Sequence, residues 1–559
     1  MQVMSTQLSD KDFIVLYVAL SVAYFLGLFV PLMENDAAQH ASMAMRMALN
    51  NDYFHIYKGN EPYLDKPHLH FWLAAWSMKL FGINHIAYRI PAFLFLAMAA
   101  ACTYKLTHML YRDRAMAHVA ALMFLSAQTI VLSAHDVRTD AILTGAVIFG
   151  VYHVVAYIKN GASVHILFGG LGAAMALGAK GMVGVGIIGV CVFAYLLYSR
   201  EWGQFFRWKV LLGLMSFVVG ITPVLYAYYQ QFDLHPEMLV RGEYGVSGVR
   251  FILWDQSFKR FSGEDFGANS PDYLFFFHSL LWVFIPFSVP LYGGVFSRTW
   301  YFIKSRFSKS NGCEFLTVGG FWMIMLIFSF SKFKLPHYLN SLIPIISILT
   351  ASYLFQLGKQ PAVRTTKIYL LAEYLLIGIG LALMFYLAGF AFGVPSVGGL
   401  LLVAGAGVLL ARSVWSNKAL TSRIVAIGIY FAAMLNIFLN TQFYPQLTQY
   451  QAGLQIAKQI REQGIEPKDI VMPDHYTNWT LDFYTQTNIE RIPMDAAIQA
   501  TAKYLFISAP DMEQWKAAGR SYETVAEASH YRITRLKPAF LNAETRSEQL
   551  SRYILVKVM

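Results

Sequence analysis

Charge is scarce in this chain: only 14% of its 559 residues are Asp, Glu, Lys or Arg, against roughly a quarter in a soluble protein of this length. That shortage excludes an ordinary soluble enzyme. Cysteine is nearly missing too. Cys102, Cys191 and Cys313 lie in or beside apolar runs without a CxxC pair, which argues against a disulfide framework and a cysteine metal centre. Internal repeats are absent, as is low-complexity sequence. A cleavable leader is not expected: the first apolar run, Phe13 to Leu32, ends on Pro31, Leu32, Met33 and Glu34 with no small-residue cleavage site. It reads as a retained span.

Apolar residues fill the gap, at 56% of the chain and a mean hydropathy of +0.45. Runs of roughly 17–25 apolar residues mark candidate membrane helices. About thirteen occur, near 13–33, 86–110, 115–133, 138–158, 163–178, 180–199, 208–230, 273–296, 313–331, 336–357, 366–388, 395–412 and 421–440. The fold class expected is a mainly α polytopic membrane protein over 1–444, with a small α/β soluble domain over 445–559. In that tail 451–463 reads as an amphipathic helix, and 469–472, 504–508 and 553–558 read as strands.

The net charge of +11 does not point to nucleic acid, because the basic residues sit between apolar runs. Arg112 and Arg114, Lys159, Arg200 with Arg207 and Lys209, Arg298 to Lys309, Lys359 to Lys367, and Arg412 to Arg423 occupy alternate loops with few acids. Such loops stay cytoplasmic. The N-terminus is then cytoplasmic, and loops 34–85, 231–272 and 331–337 share the outer face with the tail. Within the first of these, 37–48 has helical periodicity and 68–82 is apolar but short, so both are expected to lie in the interface.

Polar chemistry therefore gathers on one face, away from ATP and nucleotide sugars. Asp36 stands at the mouth of the first span, where a carboxylate is costly unless it has a task. Two readings fit it: a general base for an acceptor hydroxyl or phosphate, or, with Asn35, a cap for the helix that follows. Tyr63, Asp65, Lys66 and Pro67 form a second group, in which a lysine beside a carboxylate can grip an anionic phosphate or simply form a surface pair. Arg138 and Asp140 lie at another outer boundary, where a cavity role and a structural Arg–Asp pair weigh equally. Lys180 sits between two apolar runs and can snorkel. Lys332, Lys334, His337 and Tyr338 form a basic and aromatic outer loop, against the usual charge bias. His55, His68, His70, His85, His135, His235, His278 and His337 fall near the same face; a divalent metal fits some of them, but the spacings match no zinc signature.

Taken in order, Asp36, the Tyr63–Pro67 segment, Lys180 with Gly181, the run Lys259, Arg260, Phe261, and the run from Lys332 to Tyr338 resemble the ArnT-like lipid A aminoarabinose transferases and the wider protein O-mannosyltransferase superfamily. That resemblance implies a GT-C fold and an inverting transfer from a polyprenyl-phosphate-linked sugar to a lipid A-like or protein acceptor on the periplasmic face of the bacterial inner membrane. It implies Asp36, helped by Asp65, as catalytic residues. Lys66, Arg260, Lys332, Lys334 and Tyr338 would hold the donor phosphate, with Tyr63, Arg138, Asp140, Lys180 and His337 in support. No tightly bound cofactor is expected, and the chain is expected to act as a monomer. The sequence departs from the ArnT pattern at Gln39, Asp65 and Ser257, where Arg, Glu and His are usual, so the sugar stays open. Another polyprenyl-dependent ligase or an oligosaccharide transferase is the nearest alternative. A lipid transporter fits less well, since such proteins place polar groups at the midplane and often carry repeats.

Overall fold

The computed structural model describes residues 8–34, 36–264, 267, 269–310, 312–359, 363–499, 503–517, 519 and 521–559. The first part of the chain forms ten helices that carry most of the site: α1 (Asp10–Leu28), α2 (Asp36–Asn50), α3 (His68–Phe81), α4 (His85–Tyr111), α5 (Arg114–Ser126), α6 (Gln128–His135), α7 (Thr139–Asn160), α8 (Ser163–Lys180), α9 (Met182–Ser199) and α10 (Lys209–Tyr228). Among the described residues ten helices are long and apolar enough to cross a membrane, or eleven if α5 and α6, bent by 56°, count as one span. All thirteen expected regions are helical. The stretch 273–296 is split into Phe275–Val283 and Ser288–Lys304, and 313–331 is the 15-residue helix Leu316–Phe330. The split falls around Pro286, which lacks an N–H and keeps the residue before it out of helical geometry.

Small residues set how the helices approach. A Cβ on Gly170 of α8 would meet the backbone oxygen of Gly213 on α10 at 2.1 Å, and one on Gly172 would meet Gly150 of α7 at 2.7 Å. Such contacts let helix backbones pack closely in lipid, where burial of apolar surface supplies no drive. They fix α8 between α7 and α10, and the C-terminal end of α8 delivers Lys180. Gly181 follows with φ +71° between α8 and α9, where a side chain would strike Gln256 Oε1. Only glycine suits that turn.

As expected, α2 and α3 are short helices between the spans, joined by the hairpin β1 (Tyr57–Lys58) and β2 (Glu61–Pro62). The tail forms one five-stranded sheet from β3 (Ile470–Pro473), β4 (Glu490–Ile492), β5 (Tyr504–Ser508), β6 (Tyr522–His530) and β7 (Ser551–Val558), in the order β4-β3-β5-β7-β6. Strands β4, β3 and β5 run parallel, and β7 is antiparallel to both neighbours. The expected strands match β3, β5 and β7; β4 and β6 carry too little apolar alternation to stand out in the sequence.

This sheet unit is bound to the loop after α1. Thr480 N–H donates to Glu34 Oε1 at 2.6 Å, Glu34 N–H donates to Gln451 Oε1 at 2.9 Å, and Ser42 donates to the Trp479 carbonyl. Because the tail and the 34–85 loop meet, the chain crosses an even number of times between them. Burial pushes the Glu34 carboxyl from an ordinary 4.5 up to about 8, despite the Thr480 N–H. The folded protein thus keeps a proton that the unfolded chain releases above about pH 4.5, so this group's stabilisation fades as pH rises from there to about 8. Glu34→Gln is expected to flatten the fall of Tm across that window. An unchanged slope would assign the fall to another group.

Candidate active site

The N-terminal turn of α2 places Asp36 on a cavity of about 420 Å3. Its Oδ2 meets Arg138 Nη1 at 3.0 Å, and Arg138 also bonds Asp136 at 2.7 Å through Nη2. Asp136 foremost, with Asp36, holds the Arg138 guanidinium charged, raising its pKa against the cost of burial. Asp36 keeps 43% of its side chain exposed, so one carboxylate oxygen remains reachable from the cavity. Among the described residues its side chain pairs with Arg138 and with no backbone N–H; Asn35, the other capping candidate, lies outside the described residues.

The hairpin brings Tyr63, Asp65 and Lys66 to the same cavity. Lys66 Nζ bonds Asp65 Oδ2 at 2.5 Å, and Arg241 approaches Oδ1 at 3.5 Å. Two cations thus face the Asp65 carboxylate, which is only 17% exposed. Gln256 holds the Asp65 carbonyl from across Gly181. Lys180 pairs with Asp140 at 2.5 Å, both nearly buried, and lies 4.8 Å over the Tyr338 ring. Of the two readings weighed for Arg138 and Asp140, the mutual pair gives way to three others: Arg138 takes Asp36 and Asp136, and Asp140 takes Lys180. His337 and Tyr338 complete the wall.

Two expected phosphate ligands, Lys332 and Lys334, stand elsewhere. Lys332 is exposed and lines no part of the cavity, while its backbone ties to Phe261 and Asn269. Lys334 is turned away: Nζ donates to the Ser270 carbonyl at 3.1 Å and lies over Tyr273, joining two loops. The side chain of Arg260 lies outside the described residues. Conversely Lys58 and Arg241 line the cavity unanticipated, because each is a lone cation in a polar loop with no motif around it.

Two further cavities adjoin. One, lined by Phe261, Phe276, Ile327 and Phe328, meets the first at Lys180, Phe333 and Tyr338. The other, of about 490 Å3, meets it at Arg138, Asp140 and His337 and reaches Arg89, Trp282 and Tyr444. The histidines are dispersed into local bonds: His55 with Asp52, His68 with the Phe54 carbonyl, His70 with Tyr88, His278 with Asp272. Burial lowers His68 and His70 to about 4 and keeps them neutral. Among the described residues no three His, Cys, Asp or Glu side chains gather to hold a metal ion.

Parts of the sequence, and the fold, are similar to known proteins. Residues 65–226 match the family described as dolichyl-phosphate-mannose-protein mannosyltransferase. An undecaprenyl phosphate-α-4-amino-4-deoxy-L-arabinose arabinosyl transferase of Proteus mirabilis is 23% identical over 58% of this chain and 55% of its own length. A relative with the same activity in its name, from Pseudomonas aeruginosa, is 23% identical over 64% of this chain and 60% of its own. The matched part thus spans a little over half the length of these curated relatives. The crystal structure of ArnT from Cupriavidus metallidurans bound to undecaprenyl phosphate superposes with a TM-score of 0.75 at 18% identity, covering 98% of each chain. This polytopic membrane protein is therefore similar to ArnT in fold over almost its whole length, and in part of its sequence to the arabinosyl transferases.

Proposed function

We propose that this protein is a membrane glycosyltransferase that moves a sugar from a polyprenyl-phosphate donor to a lipid A-like or protein hydroxyl, with inversion, on the periplasmic face of the bacterial inner membrane. The observation that carries this reading is the cavity itself. It gathers a reachable carboxylate, Asp36, with Lys66, Arg241 and Tyr338, and continues past Lys180 and Tyr338 into a slot lined by phenylalanines. A phosphate suits the cations and a polyprenyl chain suits the slot. The likeness to an ArnT that holds undecaprenyl phosphate supports the same donor class. Basic residues at the opposite ends of the spans favour a cytoplasmic N-terminus and a periplasmic site and tail.

In the reaction the acceptor oxygen bonds the anomeric carbon while the bond from that carbon to the phosphate oxygen breaks, its electron pair leaving with the polyprenyl phosphate. Asp36 takes the hydroxyl proton. Lys66, Arg241 and Tyr338 offset the charge growing on the phosphate, and Asp65 holds Lys66 and Arg241 in place. The second cavity gives the acceptor a route to Asp36 that does not cross the donor slot.

The test is release of polyprenyl phosphate and glycosylation of lipid A or protein by the purified protein in vesicles supplied with polyprenyl-phosphate sugars. Lys66→Met is expected to lower turnover about a hundredfold with a smaller change in donor KM. Transfer that requires a nucleotide sugar, or a Lys66→Met protein of normal rate, would sink the reading.

A further inference from the structure

A fourth cavity, of about 540 Å3, lies at the other end of the bundle, between the N-terminal end of α1, the C-terminal end of helix Val397–Val414 and the start of helix Leu420–Phe438. Four cations line it, Lys11, Arg412, Lys418 and Arg423, against one carboxylate, Asp12. Asp12 is taken by Lys418 and by Ser9. Arg423 spends one nitrogen on Tyr374 and the Val414 carbonyl, while its Nε is buried with no partner among the described residues. Lys11 and Arg412 form no ion pair among the described residues. Three excess positive charges on a concave surface attract an anion, and Ser413, Ser416, Ser422 and Tyr430 offer hydroxyls for its oxygens.

The remaining wall is apolar, formed by Leu8, Val15, Leu16, Leu409 and Ala426. Beside it Ile14 and Val18 are exposed along α1, and Trp415, 80% exposed, stands at the rim. A pocket that is cationic where the spans end and apolar alongside them matches a lipid with an anionic head and hydrocarbon tails. An exposed tryptophan at this level is an interfacial anchor. We propose that this cavity binds a phosphate-bearing headgroup, that of an anionic glycerophospholipid of the leaflet opposite the Asp36 cavity. The same cations would accept free phosphate; the apolar wall and the exposed α1 face favour the lipid. This site is separate from the glycosyl-transfer reading and stands without it.

The test titrates the detergent-purified full chain with dioctanoyl phosphatidylglycerol, with dioctanoyl phosphatidylcholine and with inorganic phosphate, reading Tm. Phosphatidylglycerol is expected to raise Tm in a salt-sensitive manner, inorganic phosphate to raise it less at the same concentration, and phosphatidylcholine to leave it unmoved. Lys11→Gln with Arg412→Gln should weaken the phosphatidylglycerol response about thirtyfold. Lys11→Arg with Arg412→Lys should retain it, which separates loss of charge from loss of fold. Arg364→Gln with Lys367→Gln, exposed cations at the same end, and Lys66→Met in the other cavity should also retain it. Equal affinity in the double Gln variant overturns the site. An equal Tm rise with inorganic phosphate alone overturns the lipid assignment.

Discussion

Asp36→Asn is expected to lower sugar transfer about a thousandfold, within the range that positioned acid–base groups contribute, while Tm changes little. The substitution keeps the shape of the side chain and removes only its basicity. Arg138 retains Asp136 at 2.7 Å, so no cation is stranded. The Asp36–Arg138 contact is itself partly exposed, and such pairs add about 1 kcal/mol or less. Donor binding should persist, because the phosphate-facing cations are untouched. The loss should therefore fall on kcat, with donor KM near normal. Asp36→Glu keeps a carboxylate one methylene displaced and should recover part of the rate. If the Asn variant transfers at the normal rate, Asp36 serves only to hold Arg138, and the base must be sought elsewhere on the same wall.

Much of this site was legible in the sequence because membranes make charge expensive. Carboxylates and lysines beside long apolar runs had to be doing something, and the Lys and Arg bias of alternate loops put Asp36, Lys66 and Tyr338 on one face. The helix that carries Asp36 and the short α3 were equally plain, since their length and periodicity set them apart from spans. What could not be read was pairing. Asp140 is two residues from Arg138 in sequence, yet its partner is Lys180, forty residues on, brought there by the glycine-mediated packing of α8 against α7. Lys334 carried the same motif as Lys332, but nothing in that motif says that Asn269 and Ser270 would draw it into a loop contact. Arg241 had no motif at all, and only the folded loop brings it to Asp65. The 56° bend between α5 and α6 is likewise silent in sequence, for Ala127 at the break is neither proline nor glycine.

The Lys180–Asp140 pair is where stability and activity should separate most sharply. Each side chain is only 6–7% exposed and the two are 2.5 Å apart. Removing one member leaves the other charged and buried without its counterion, a change that costs about 3–5 kcal/mol in comparable sites. Asp140→Asn and Lys180→Met should each lower Tm markedly, and Asp140→Asn the more, because a lysine ammonium is then left against Tyr338 alone. The double variant removes both charges together and should regain most of the lost stability, so the two effects will not add. Activity should behave otherwise. Lys180 stands where the polar cavity meets the phenylalanine slot, so the proposed donor would bring its phosphate and the start of its chain past it. A double variant that is stable but inactive is the expected outcome. Strictly additive losses of Tm would mean that water in the cavity already screens the pair, whereas restored transfer would show that the pair is scaffolding and that the donor phosphate is held by Lys66 and Arg241 without it.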